Sequence, residues 1–226
     1  MNRSLIFCLC LLALTACARL PRIDPFPAGC RCPSAAASAC RDLYPHGRWQ
    51  LFHAIEATLP GGGKQILTGV SVLCSDNRSI RCALMTVEGF VIFSGRWNGV
   101  LSVDRAVPPF DRPGFAEGLM TDLRLLFFAP RDPLLSTGLL EQGDPVCRFG
   151  SAENTIDIAM KGDGERVVHQ YGSNHGLRRS IVADAPTPMA RGAFSRHLVL
   201  KHHGVLGYQL KLKLIEAIPL DEEPKK

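Results

Sequence analysis

Cysteine and histidine are the residues of this chain with the most chemistry to offer, and their spacing separates them by role. Cys17 closes the run Leu14-Thr15-Ala16-Cys17, behind an apolar stretch over residues 5–14 and a positive Arg3. A lipoprotein signal peptidase needs small residues before the cut and a thiol after it. The pattern therefore predicts cleavage after Ala16 and lipid attachment at Cys17. The apolar stretch is too short to span a bilayer. Acyl chains contribute about 0.8 kcal/mol per buried methylene, so more than one of them makes a nearly permanent anchor. Ala18, where inner-membrane retention favours Asp, predicts sorting to the cell outer membrane, facing the periplasm.

The sequence holds 9 cysteines; Cys8 and Cys10 leave with the signal and Cys17 is acylated, so 9 − 3 = 6 remain. In an oxidising compartment an even number implies disulfides. Cys74 and Cys82 flank the turn-rich Ser75-Asp76-Asn77-Arg78-Ser79 and are expected to clamp a hairpin. Cys30, Cys32, Cys40 and Cys147 are the remaining disulfide candidates. A bond between Cys30 and Cys32 would be strained, so each is expected to reach elsewhere, with connectivity left open. Zinc at Cys30, Cys32 and Cys40 would need a two-residue spacer and a regularly placed fourth ligand, which the sequence does not offer. No metal and no cofactor is expected.

Catalytic patterns are equally sparse. The chain has no Gly-x-Ser-x-Gly elbow, no His-Glu-x-x-His and no phosphate-binding glycine loop. His197, His202 and His203 cluster in sequence with Asp184 and Glu216 as conceivable co-ligands, yet adjacent histidines in a strand point to opposite faces. Ser173, His175 and Asp163 can be drawn as a hydrolytic trio, but Gly172, Asn174 and Gly176 around them read as a hairpin turn. The chain is not expected to be an enzyme. Its formal charge of +5 falls to +4 when Arg3 is removed (5 − 1), and no long run is of one sign. Lys201-His202-His203 and the pair Lys211 and Lys213 are the densest basic clusters, and the two lysines alternate with apolar residues as a solvated strand face does. A nucleic-acid partner is therefore not expected.

The elements that must position these residues follow from hydrophobic period. Residues 1–16 are the signal, 17–45 a lipidated Cys with a Pro/Ala/Ser-rich tether, 46–220 a folded body and 221–226 a charged tail. Trp49, Leu51, His53, Ile55, Ala57 and Leu59 alternate with polar neighbours, which predicts a strand. Short strands of the same kind follow through residue 107, with Asn98-Gly99 as a tight turn. Pro108 to Pro113 then lead into a predicted helix with Phe115, Leu119, Leu123 and Phe127 on one stripe. Residues 134–140 are read as a further turn or two of helix, and strands resume from Val146 onward. The result is a mainly β (α+β) chain of about ten or eleven antiparallel strands with one central helix. Such a sheet has to roll up, and a curved, incomplete barrel with a helical lid is the expected architecture. Trp49, Leu51, Ile55, Phe90 and Ile92 are candidates for the cavity wall, and Phe115, Leu119 and Leu123 for the lid. Arg105, on an apolar face, is the candidate for the mouth, where it would bond lid carbonyls or a lipid headgroup. Val107-Pro108-Pro109-Phe110 is either a protruding apolar tip or a rigid entry to the helix with Phe110 as a staple.

The patterns Trp49-x-Leu51-x-His53-x-Ile55-x-Ala57-x-Leu59, Leu84-Met85-Thr86-x-Glu88-Gly89, Arg105-Ala106-Val107-Pro108-Pro109-Phe110 and Gly207-Tyr208-x-Leu210-x-Leu212 together resemble a family of bacterial outer-membrane lipoproteins related to the LolA/LolB lipoprotein-carrier superfamily. The resemblance covers roughly residues 46–218. It implies a half-barrel whose hydrophobic cavity takes up acyl chains of a lipidated or otherwise hydrophobic client. A lipid-anchored member would look like the receiving partner, LolB, served by a periplasmic carrier. The alternative is an envelope scaffold or assembly protein that uses the same fold as a contact surface. An open, greasy interior favours the first reading and a filled one the second.

Overall fold

The computed structural model describes residues 19–27, 38–112, 114–151, 153–189, 192–204 and 207–220; Cys17, Cys30 and Cys32 lie outside them. Five strands come first: β1 (Arg48–Thr58), β2 (Lys64–Cys74), β3 (Ser79–Thr86), β4 (Val91–Trp97) and β5 (Leu101–Ala106). Helix α1 (Phe115–Phe127) follows. The second half holds β6 (Leu134–Leu139), β7 (Pro145–Gly150), β8 (Asn154–Met160), β9 (Arg166–Gly172), β10 (Leu177–Ala183), β11 (Thr187–Met189), β12 (Gly192–Phe194), β13 (His197–His202) and β14 (Tyr208–Pro219).

Strict alternation makes these strands. In β1 buried and half-buried residues alternate from Trp49 to Thr58, and β2 continues the rhythm, so one face of each is committed to a core. Twelve strands form one antiparallel sheet in the order β5-β4-β3-β2-β1-β14-β13-β10-β9-β8-β7-β6, while β11 and β12 pair only with each other. The expected mainly β, incomplete barrel is therefore observed, with twelve strands in place of ten or eleven. Bulges between β3 and β4, β4 and β5, and β1 and β14 add local twist and help the sheet to coil. No helix among the described residues is long and apolar enough to cross a membrane.

Strand order also explains the helix. β5 and β6 are the two edges of the sheet and are consecutive in the chain, so their connection must pass across the open side. It does so as α1, whose Ala116, Leu119, Met120, Leu123, Leu126 and Phe127 are buried. Gly114 supplies the left-handed turn (φ 78°) that starts it. Residues 134–139, expected as helix, form the edge strand β6. Their Leu-Leu-Ser-Thr-Gly-Leu sequence has no clear period, and pairing to β7 decides the outcome. This edge is itself capped: Asp24 of the N-terminal segment exchanges backbone bonds with Leu139 (2.9 and 2.8 Å), which removes part of an exposed template for aggregation. Nearby, the buried pair Arg148 and Asp157 is bidentate at 2.7 and 2.6 Å, and the same guanidinium donates to the Pro21 carbonyl at 2.9 Å.

That strap fits because position 138 is glycine. A Cβ there would stand 2.0 Å from the Asp24 carbonyl oxygen and 2.7 Å from the Ile23 side chain. Gly138→Val should therefore lift residues 19–27 off the sheet edge while leaving the core intact. Trypsin cleavage at Arg19 and Arg22 should speed up in the variant, with the thermal midpoint nearly unchanged. Equal cleavage rates would show that the strap does not depend on this approach.

The cysteines correct one expectation. Cys74 and Cys82 are both free thiols. In the β2–β3 register Cys74 lies opposite Ser79 and Cys82 opposite Ser71. Cys74 is on the half-buried outer face and Cys82 on the buried core face, so the two sulfurs point to opposite sides of the sheet. Burial pushes the Cys82 thiol up to about 12, which makes it inert. Cys40 bonds Cys147 instead, joining the helical turn over residues 38–41 to β7.

A candidate lipid trough closed by one helix

The concave face of the sheet is a continuous apolar wall, with Leu51, Leu73, Ile80, Phe93, Ile158 and Leu200 essentially inaccessible. α1 lies against it, and the two form one hydrophobic cluster. Packing is nearly complete. The cavity left beside the helix, between His53, Leu126, Phe127, Arg166, Phe194 and Leu214, is about 20 Å³, room for about one water molecule and for no acyl segment. A far larger concavity of about 1010 Å³ lies at the other face of the β2–β3 and β4–β5 turns. Arg48, Asp76, Arg81, Arg96 and Asn98 line it together with Trp49, Ile80 and Trp97, so it is a solvent-open cleft of mixed character.

α1 is held to the wall by a few polar anchors in an otherwise apolar contact. Arg166, buried on β9, donates to the carbonyls of Leu126 (3.3 Å) and Leu43 (3.0 Å) and stacks over the Tyr44 ring at 4.3 Å. Burial pulls its guanidinium below the usual range. Arg78 donates to the Ala129 carbonyl at 2.8 Å and covers the Phe128 ring. Arg124 of the helix lies 4.6 Å over Trp97. Asp122, 1% exposed in the middle of the buried stripe, accepts from Arg179 Nε at 2.6 Å. The Tyr208 hydroxyl also donates to it. Burial raises the Asp122 carboxyl, with Arg179 acting against it, and burial also raises the Tyr208 phenol.

A LolA superfamily protein from Nitrosomonas europaea superposes on this chain with a TM-score of 0.57 at 8% identity, over 86% of this chain and 96% of that one. The chain has the LolA-type fold. An outer membrane lipoprotein-sorting protein domain from Vibrio parahaemolyticus gives a TM-score of 0.48 at 8% identity, covering 82% of this chain and 91% of that one. A DUF1329 family protein from Desulfovibrio piger gives 0.43 at 6% identity, covering 81% and 90%. No family model and no curated protein matches the sequence.

Within this LolA-like fold the candidate residues separate. Trp49, Leu51 and Ile55 stand on the wall, Leu119 and Leu123 on the facing side of α1, and Ile92 and Phe115 pack against the same cluster. Phe90 does not: it is 70% exposed in the turn after β3, beside the equally exposed Val87. Arg105 is exposed as well, on the outer face of β5. A bulge explains this, because Ser94 pairs with Arg105 and Gly95 with Val103, so the extra Asp104 inverts the alternation along β5. Arg166 and Arg78 carry out the carbonyl contacts expected of Arg105. Phe110 is buried between Phe93 and Phe115 (ring centroids 5.9 and 4.8 Å), so the Pro-Pro segment is a staple and not a protruding tip.

The histidines disperse too. His197 pairs with Asp184 at 3.0 Å, His203 bonds Ser180 at 2.8 Å, and His202 faces the interior. Among the described residues no group of three His, Cys, Asp or Glu side chains is placed to hold a metal. Ser173 and His175 lie in the turn at one end of β9 and Asp163 in the turn at its other end, so no trio forms. Asp122 and its partners are the residues that the sequence reading missed. Their signal was a carboxylate on an apolar helical stripe, since Asp122 lies between Leu119 and Leu126 at spacings of three and four.

Proposed function

We propose that this protein handles lipid at the bacterial outer membrane. Anchored through acylated Cys17 and facing the periplasm, it takes an acyl chain or a lipidated client into the trough when α1 withdraws, in the receiving role of LolB. The observation that carries the proposal is that, among the described residues, the gap in a twelve-stranded apolar sheet is crossed by one 13-residue helix. Such a helix is roughly 20 Å long, close to the reach of an extended acyl chain. Residues 17–45 then link anchor to body, and outer-membrane lipid, a hydrophobic client and a periplasmic carrier are the partners. The chemistry is uptake and release, with no catalytic step. One observation favours a second reading, an envelope scaffold: at rest the cavity beside α1, among the described residues, is about 20 Å³.

The mature protein with Cys17→Ala, free of its own lipid, separates the two. Mass spectrometry of the protein purified from envelopes should find acyl species. A palmitoylated peptide should bind where its unacylated twin does not, and Trp97 emission should shift as Arg124 leaves its ring. Absence of acyl species together with no binding of the palmitoylated peptide would leave the scaffold reading alone.

A further inference from the structure

One row of the greasy wall is made of four polar residues, and the strand register places them side by side. Gln170 of β9 is opposite Arg179 of β10, Arg179 is opposite His202 of β13, and His202 is opposite Tyr208 of β14. The next inward-facing row, two residues along each strand, is wholly aliphatic: Val168, Ile181, Leu200 and Leu210 are paired in the same order. A polar row beside an aliphatic one is a template for a molecule with a head and a tail.

The head that the row accepts at rest is a carboxylate. Arg179 Nε donates to one Asp122 oxygen at 2.6 Å, the Tyr208 hydroxyl donates to the other, and Arg179 Nη1 donates to Gln170 at 3.1 Å. His202 stacks on the Tyr208 ring (centroids 5.1 Å apart, 5° between planes), and its buried Nδ1 has no hydrogen-bond partner among the described residues. All the donors belong to the fixed wall, whereas the acceptor belongs to the helix that has to leave. Withdrawing α1 strands a guanidinium in an apolar trough, which is strongly unfavourable without a counter-charge. A guest that brings its own carboxylate restores the pairing and a neutral guest does not.

We infer that Gln170, Arg179, His202 and Tyr208 form a receptor for the head of a carboxylate-bearing acyl chain, a fatty acid or a close analogue, with Asp122 as its internal stand-in. The tail would lie along Val168, Ile181, Leu200 and Leu210. This inference rests on the trough reading above and adds the class of guest.

Calorimetric titration of the mature Cys17→Ala protein with laurate, methyl laurate and acetate tests it. Laurate should bind at least about tenfold tighter than its ester, the usual size of a hydrogen bond to a charged group, and acetate should not bind. Arg179→Leu should abolish that preference, because a neutral guest then leaves no guanidinium stranded. Tyr208→Phe, which deletes one hydroxyl, should reduce the preference even if Arg179→Leu does not fold. Asp122→Asn should tighten laurate by removing the competing carboxylate. Equal affinity for laurate and ester in the parent, or a preference that survives both wall substitutions, overturns the receptor while the trough stands. If no variant binds either amphiphile, the trough reading itself fails and takes this inference with it.

Discussion

Replacing both members of the Cys40–Cys147 bond with alanine is expected to lower stability by about 4–5 kcal/mol, the chain-entropy value for a loop of this size. The two residues are separated by 107 positions, so the bond closes nearly half of the chain into one loop. Domains of ordinary size are stable by about 5–15 kcal/mol, which makes this a large share of the total. Its effect should be directional as well. The bond pins the turn that leads to Leu43 and Tyr44, and these hold Arg166, which in turn holds the Leu126 carbonyl at the end of α1. Loss of the bond should therefore loosen the helix before the sheet. Urea unfolding followed at far-ultraviolet wavelengths gives the stability change, and hydrogen exchange over residues 115–128 gives the order of events. A loss below about 1 kcal/mol would mean that the N-terminal turn is already fixed without the covalent link, contrary to the entropic estimate.

Much of the body could be read from periodicity, because β1, β2 and β14 alternate in two-residue steps and each step is fixed by burial of one face. The helical stripe was readable for the same reason, with a period of 3.6. Four things were not. β8 is buried along nearly its whole length, so it shows no alternation to announce which side is the core. Arg105 was misplaced because one residue, Asp104, shifts the register of β5, and nothing in Leu-Ser-Val-Asp-Arg-Ala marks a bulge. The pairing of Cys74 with Cys82 failed on parity: the hairpin sets Cys74 against Ser79, which puts the two thiols on opposite faces. The polar row was hidden for a different reason. Its members come from β9, β10, β13 and β14, and only the register shows that they are neighbours. Asp122 was the exception, since a carboxylate on a buried stripe demands a partner wherever that partner is in the chain.

Acidification from pH 7 to pH 4 should cost the fold about 3 kcal/mol at His53 alone. The side chain is 3% exposed on the concave face of β1, and burial lowers its pKa from 6.5 to about 4. The folded chain thus keeps this ring neutral where the unfolded chain protonates it. Between those two values the unfolded state binds more protons, so stability rises with pH across the window. The contribution is full above the unfolded pKa of 6.5, falls as pH drops towards about 4, and is spent below it. The surroundings sharpen the penalty. His53 lies 5.8 Å from the Phe127 ring of α1, and the guanidinium of Arg166 lines the same small cavity. A proton on the imidazole would place a second cation beside the helix end with no acid among the cavity's lining residues to receive it. Other groups titrate in this range, so the measurement is a difference: urea midpoints of the parent and of His53→Gln and His53→Phe, taken at half-unit steps. The parent curve should fall by about 3 kcal/mol more than either variant. Parallel curves would mean that the ring finds a proton-compatible setting in the folded state, and α1 would then have no acid-sensitive contact at this position.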